Sequence, residues 1–112
     1  MAISTSREGQ TLIVKTEDRI DGANAREFQV DLEAAIDPND RGLVLDLEQL
    51  SYVSSAGLRV ILLTAKTLRK QNAKLAVCSL SDSVREVFEI SGFDKIIPVH
   101  DNQAEAAAAL AD

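Results

Sequence analysis

The stretch LVLDLEQLSYVSSAGLRVILLTAKTLRK, residues 43–70, joins an apolar strand to an amphipathic helix through two serines. Leu43–Leu47 is apolar on both faces apart from Asp46, as in a parallel strand that helices cover on both sides. Apolar residues then recur at helical spacing, at Leu58, Ile61, Leu62, Ala65 and Leu68. A buried strand followed directly by a helix predicts an α/β fold.

The flanking segments continue the alternation of strands and helices. Strands are predicted at Ile3–Ser6 and Thr11–Thr16, about a turn at Glu8-Gly9, and at Leu75–Cys78 and Ile96–Val99. Helices are predicted from Ala25 to Ile36, between Ser83 and Gly92, and over residues 102–111. We therefore predict a single domain over residues 1–112, with a mixed, mostly parallel sheet of four to five strands and about four helices.

Two of these helices begin with a pattern typical of a capping box. Asn24 is followed three residues later by Glu27, and Ser83 is followed by Glu86. We expect Asn24 and Ser83 to accept hydrogen bonds from the first free backbone amides of their helices. Gly92 stands in the position expected just past a helix end.

The charge balance argues against binding to nucleic acid. The 112 residues carry a formal net charge of −6, whereas binding to phosphates relies on basic patches. Lys66, Arg69 and Lys70 form one basic helical turn, which is typical of a solvated face. Aromatic residues make up 4% of the chain, too few for base-stacking platforms. A protein partner fits this composition better.

The apolar segments favour a cytoplasmic protein or a soluble subunit of a larger assembly. No N-terminal stretch has the parts of a signal peptide, and the apolar runs are too short for direct membrane insertion. The single cysteine, Cys78, lies in the apolar run KLAVCSL. We expect a buried, reduced and unreactive thiol there.

Two loops lie where an α/β sheet places its working sites, beyond the carboxyl ends of parallel strands. They are Glu17–Asn24 and Leu50–Gly57, and each precedes a predicted helix. The second loop contains Ser54 and Ser55, which have three interpretations: a catalytic nucleophile, a helix cap or a phosphate acceptor.

Catalysis is the weakest of the three interpretations. The nucleophile elbow of α/β-hydrolases needs glycine two residues before and two residues after the serine. Ser55 has Gly57 after it but Val53 before it, and the single histidine, His100, has no setting that indicates a general base. Neither metal-ligand spacing nor a phosphate-binding glycine loop occurs, so no catalytic residue, metal or cofactor is predicted.

A cap and a phosphate acceptor are both compatible with the serine loop. A capping serine contributes about 1 kcal/mol. A helix start also tolerates a phosphate, whose charge of about −1.5 to −2 gains about 0.3–1 kcal/mol there. The same charge buried without a partner group under a bound protein costs several kcal/mol. Such a modification changes the stability of the domain little but weakens a complex strongly, as a binding switch requires.

The chain resembles the STAS-domain anti-sigma factor antagonists of bacteria along nearly its whole length. The resemblance is carried by RIDGANAREF (19–28), by residues 43–70, and by LAVCSLSDSVREVFEISGFDKII (75–97). It implies a non-enzymatic protein that binds an anti-sigma factor, often a GHKL-type serine kinase, and thereby frees a sigma factor. The kinase phosphorylates a loop serine and weakens the complex, and a serine phosphatase restores it.

The resemblance also implies which residues would form the site. The usual family loop reads Asp-Ser-Ser/Thr-Gly-Leu, with the serine after the aspartate modified. On that pattern Ser55 is the acceptor, followed by Ala56, Gly57 and Leu58. Asp21 matches an acidic family position beside the kinase-facing site, and Asn24 stands where a threonine is common. The implied partner-binding residues are Asp21, Asn24, Ser54, Ser55, Ala56, Gly57 and Arg59.

The sequence departs from the family pattern at two positions of the loop. Ser54 occupies the aspartate position and is a rival acceptor, and Ala56 removes the second family hydroxyl. Arg59 lies one helical turn after Ser55, where it is either a partner for a phosphate or an exposed helix residue. The alternative function is a constitutive STAS scaffold subunit of a transporter or signalling assembly, in which the serines only cap the helix.

Overall fold

The computed structural model describes residues 3–111, which form five strands, four α-helices and one 3-10 helix. In chain order these are β1 (Ile3–Glu8), β2 (Thr11–Ile20), α1 (Ala25–Ala35), β3 (Gly42–Val53), α2 (Ser55–Lys70), β4 (Lys74–Cys78), α3 (Asp82–Ser91), the 3-10 helix (Phe93–Lys95), β5 (Val99–His100) and α4 (Gln103–Leu110).

The strands form one mixed sheet in the order β1-β2-β3-β4-β5. β1 and β2 are an antiparallel hairpin, and each of the remaining neighbours pairs in parallel. The predicted α/β fold with a mixed, mostly parallel sheet is confirmed.

β3 buries both of its faces, as its sequence predicts. Leu43, Leu45 and Leu47 belong to the large hydrophobic cluster formed with α1, α2 and α3. Val44, between them, belongs to a smaller cluster with Ala106 and Leu110 of α4. Side chains alternate across a strand, so a run that is apolar at every position requires helices on both sides.

β2 and β3 are longer than predicted and extend together beyond the rest of the sheet. Their pairing runs as far as Ile20 opposite Val53, whereas β4 accompanies β3 only as far as Asp46. Two register shifts each place one extra residue in β3, between Asp46 and Gln49 and between Leu50 and Tyr52, and Asp18 of β2 has a positive φ of 65°. These irregularities disturb the alternation of apolar and polar residues, which is why Thr16 and Leu47 were wrong as predicted strand ends.

The last strand and one helix cap also differ from the predictions. The backbone amides of Ile96 and Ile97 donate to the carbonyl of Phe93 in the 3-10 turn. The last strand is therefore Val99–His100 and not the predicted Ile96–Val99. The cap of α3 is Ser81, whose hydroxyl accepts the amide of Val84. Ser83, the predicted cap, lies within the helix, and its hydroxyl donates to the carbonyl of Ser51.

The first strand runs to Glu8, beyond its predicted end at Ser6, so the turn lies at Gly9-Gln10 rather than at Glu8-Gly9. The predictions for Gly92, the terminal helix and the burial of Cys78 agree with the structure. Gly92 has a left-handed conformation (φ 78°) at the end of α3, and α4 occupies the predicted terminal segment. Cys78 is fully buried, and that burial raises the pKa of its thiol. Within residues 3–111, no helix has the length and apolar character needed to cross a membrane.

Candidate functional site

The candidate site lies where the extended ends of β2 and β3 meet. Ile20 pairs with Val53, and the backbone amide of Ser54 donates to the carbonyl of Ile20 over 2.8 Å. The working loops are therefore shorter than predicted, because much of Glu17–Asn24 and Leu50–Gly57 is strand. What remains is a turn over residues 21–24 beside the start of α2.

Ser54 is the helix cap in this arrangement. Its backbone is extended (φ −89°, ψ 173°), and its hydroxyl accepts a hydrogen bond from the amide of Gly57 at 3.3 Å. The residue is half-buried. The capping interpretation therefore applies to Ser54.

Ser55 is the first residue of α2, and it is exposed. Within residues 3–111 its hydroxyl forms no hydrogen bond, since the capping position belongs to its neighbour. The structure thus divides the two serines into one engaged hydroxyl and one hydroxyl available to solvent.

Gly57 allows the serine turn to approach the strands closely. A Cβ atom at this position would lie 2.8 Å from Cγ2 of Ile20 and 2.8 Å from Cγ2 of Val53. Such distances are shorter than carbon atoms tolerate. Gly57 therefore sets how tightly α2 packs on the two strand ends, and with that where Ser55 is presented.

Asp21 and Asn24 build the neighbouring turn. The Asp21 carboxylate accepts the amides of Ala23 (2.9 Å) and Asn24 (3.3 Å). The Asn24 side chain accepts the amide of Asp21 and donates to the carbonyl of Arg19, both at 2.9 Å. The predicted capping role of Asn24 is wrong, because its side chain turns back to these groups and makes no cap hydrogen bond to α1.

Arg19 and Tyr52 complete the surface on the strand side and were not predicted from the sequence. The Arg19 guanidinium pairs with Asp21 at 2.9 Å and lies 5.1 Å from the centre of the Tyr52 ring. The two residues are opposite each other in the register of β2 and β3. Since that register depends on bulges in β3, the sequence alone carried no signal for this contact.

An open groove of about 580 Å³ runs between α1 and α2 and begins beside the serine turn. Gly22 and Ala56 line it together with Arg26 and Arg59. Arg59 is exposed, as is Arg26. The apolar part of the groove includes Val30, which is 56% exposed.

The geometry gives no support to a serine–histidine pair. His100 is level with Cys78, which in turn pairs with Asp46 of β3. Val53 lies seven residues further along β3, about 20 Å at the rise of a strand. No cluster of three or more metal-ligating side chains occurs among residues 3–111.

Comparison with known proteins identifies a matching family and two related chains. The model of the STAS domain family matches residues 2–106. BtrV of Bordetella bronchiseptica, provisionally named an anti-sigma factor antagonist, is 45% identical over 98% of this chain and 95% of its own length. An anti-sigma F factor antagonist of Paenibacillus polymyxa is 30% identical over 88% of this chain and 86% of its own length.

A solved structure shares the fold. The Bacillus cell fate determinant SpoIIAA, in its phosphorylated form, superposes with a TM-score of 0.71 at 18% sequence identity, covering 96% of this chain and 98% of its own.

Proposed function

Because the chain belongs to the STAS domain family, we propose that it is a phosphorylation-switched antagonist of an anti-sigma factor, controlled at Ser55. In the unmodified state it would bind an anti-sigma factor that is also a GHKL-type serine kinase, and so free a sigma factor or another target. A serine phosphatase would return the modified form to the binding state. Both named relatives and the resemblance of the serine loop support this role.

The exposed, unengaged hydroxyl of Ser55 is the observation that carries the proposal. In the reaction, Ser55 Oγ attacks the γ-phosphorus of ATP held by the kinase. The bond from that phosphorus to the bridging oxygen breaks, ADP leaves, and the hydroxyl proton passes to a base of the kinase. This chain supplies only the nucleophilic oxygen, and we propose no reaction of its own.

Ser54 is the poorer acceptor for a physical reason. Its hydroxyl oxygen accepts the Gly57 amide in a half-buried position. A phosphate on Ser54 would have to leave the cap or carry its charge into the turn that closes on Ile20. A phosphate on Ser55 points outward from the first turn of α2 and leaves the cap intact.

The remaining predicted partner-binding residues form one continuous surface around Ser55. The turn built by Asp21 and Asn24 lies on the strand side, and Ala56 with Arg59 line the groove on the helix side. Gly57 lies beneath them as the packing contact. We propose that the partner covers this surface in the cytoplasm, where a dianion on Ser55 would be desolvated with no cation from the partner to match it.

The direct test is phosphorylation by the cognate anti-sigma kinase with ATP, followed by mass spectrometry of the loop peptide. We expect one phosphate on Ser55 in the wild type and in Ser54→Ala, and none in Ser55→Ala. Modification of Ser54 alone, or of neither serine, would contradict the proposal.

Binding to the same kinase tests the consequence of the modification. Ser55→Ala should bind as the unmodified wild type does. Ser55→Asp should bind at least tenfold more weakly, the equivalent of about 1.4 kcal/mol. Equal affinities of Ser55→Asp and the wild type would favour the alternative function, a constitutive STAS scaffold subunit of a transporter or signalling assembly.

A further inference from the structure

Two arginines lie at the end of the α1–α2 groove that adjoins Ser55. Arg59 follows Ser55 by four residues on α2, and Arg26 lies in the first turn of α1. Both line the groove, together with Gly22 and Ala56 from the adjacent loop and helix start. Two helices thus bring one guanidinium each to the same opening.

The geometry of a helix directs Arg59 toward Ser55. Residues four apart share a helix face, with Cβ atoms about 5–6 Å apart. Side chains of a helix also tilt toward its N-terminus, so a long side chain at position 59 extends back over the turn that carries position 55. An Arg guanidinium suits a phosphate because its planar N–H groups contact two oxygens at once.

The charges around this opening leave both arginines available. Within residues 3–111, neither Arg26 nor Arg59 forms a salt bridge. The nearby carboxylate of Asp21 is paired with Arg19. Glu33, which also lines the groove, lies seven residues beyond Arg26, about 10 Å along α1.

We propose that Arg59 and Arg26 bind the phosphate of phosphorylated Ser55 from two sides. The inference rests on the proposed function, since it needs the phosphate on Ser55. It adds a second action to the switch: the modification both introduces a dianion and neutralises two cations that otherwise face the partner. The modified surface then differs from the bare one across the width of the groove mouth.

The test needs neither kinase nor partner. Phosphoserine is placed at position 55 during synthesis by nonsense suppression, and its second ionisation is followed by phosphorus NMR in the folded chain. The second pKa of an isolated phosphoserine is about 6. Arg59→Gln and Arg26→Gln should each raise the measured pKa, by about 0.5 pH unit for Arg59→Gln, because a nearby cation favours the dianion.

Matched variants separate this effect from the helix start, which is the same in every variant. Arg69→Gln removes an exposed arginine from the last turn of α2 and should leave the phosphate pKa unchanged. Arg59→Lys keeps the charge and should retain part of the effect. An unchanged pKa in either Arg59→Gln or Arg26→Gln would overturn the two-arginine site.

The two measurements distinguish an error in the phosphate site from an error in the proposed switch. If the pKa is insensitive to both arginines but phosphorylation still weakens partner binding, only the phosphate site is wrong. If the pKa responds as expected but the partner binds both forms equally, the phosphate site stands and the switch is wrong.

Discussion

The backbone amide of Ser54 and the carbonyl oxygen of Ile20, 2.8 Å apart, tie the start of α2 to the end of β2. This hydrogen bond lies one residue beyond the last paired residues of β2 and β3. It places the serine turn directly beside the turn of residues 21–24. The two loops that form the candidate site are therefore one structural unit.

The two serines should differ in their contributions to stability. Ser54→Ala removes the cap of α2 and should lower the free energy of unfolding by about 1 kcal/mol. Ser55→Ala removes an exposed hydroxyl and should leave that free energy nearly unchanged. Urea denaturation followed by circular dichroism measures both. Equal losses in the two variants would contradict the assignment of Ser54 as the cap.

Gly57 should not tolerate a methyl group. A Cβ atom there would meet the side chains of Ile20 and Val53 at 2.8 Å. Overpacking of this kind costs about 1–3 kcal/mol, whereas alanine in place of glycine returns up to about 1 kcal/mol within a helix. We therefore expect Gly57→Ala to lower the free energy of unfolding by up to about 2 kcal/mol.

The control for this prediction is Gly22→Ala in the neighbouring loop. A Cβ atom at Gly22 has no atom within 4 Å, so the substitution should be tolerated. If Gly57→Ala is as stable as Gly22→Ala, α2 adjusts without cost and Gly57 does not set the position of Ser55.

A buried carboxylate should make the fold sensitive to acid. Arg7 of β1 donates Nε and Nη2 to the two oxygens of Asp40, at 2.9 and 3.0 Å, and also donates to the carbonyl of Ala35. Asp40 is 3% exposed and accepts the amide of Asp37 as well. The hydrogen bonds from Arg7 hold the pKa of Asp40 below its usual value.

The sign of the pH effect follows from that direction. The folded state has the lower pKa, so the stabilisation is complete above the unfolded value of about 3.9 and is lost as the pH falls through the folded pKa. Asp40→Asn should lower the free energy of unfolding at neutral pH by about 1.5–3 kcal/mol. It should also reduce the dependence of that free energy on acid pH.

Thermal unfolding over a pH series measures both effects. Asp94→Asn, which alters an exposed carboxylate, serves as the control and should preserve the acid dependence of the wild type. An Asp40→Asn curve parallel to that of the wild type would show that the ion pair with Arg7 does not govern acid stability.

The fold was predictable from the sequence because its signals are local. A strand that is apolar on both faces, as at Leu43–Leu47, requires helices on both sides of the sheet. A glycine just past a helix end indicates a left-handed backbone conformation there. The site was predictable in part, since carboxyl ends of parallel strands and the resemblance both indicated the loop of Ser54 and Ser55. The resemblance gave Ser55 as the acceptor and left Ser54 as a rival, and no local signal showed which serine caps the helix, because that depends on where α2 begins.

The contacts that the sequence did not predict depend on distant pairing. Arg19 meets Tyr52 only because two extra residues in β3 shift its register against β2. Arg26 and Arg59 share a groove because α1 and α2 pack side by side, which no spacing along the chain records. The capping box at Ser83 failed for the same reason, since its hydroxyl bonds to the distant Ser51, whereas the box at Asn24 failed locally, because its side chain bonds to Asp21 and Arg19.

The modified domain should be at least as stable as the bare one. The added charge of phosphoserine 55, or of Ser55→Asp, lies in the first turn of α2. There the free amides at the helix start stabilise an anion by about 0.3–1 kcal/mol. We expect Ser55→Asp to raise the free energy of unfolding by that amount at low ionic strength and to lose the gain in high salt.

Ser55→Asn, of nearly the same shape without the charge, is the matched control. A Ser55→Asp domain less stable than Ser55→Asn would mean that the charge strains the fold, and weaker partner binding by this variant would then have to be attributed to unfolding rather than to a covered surface.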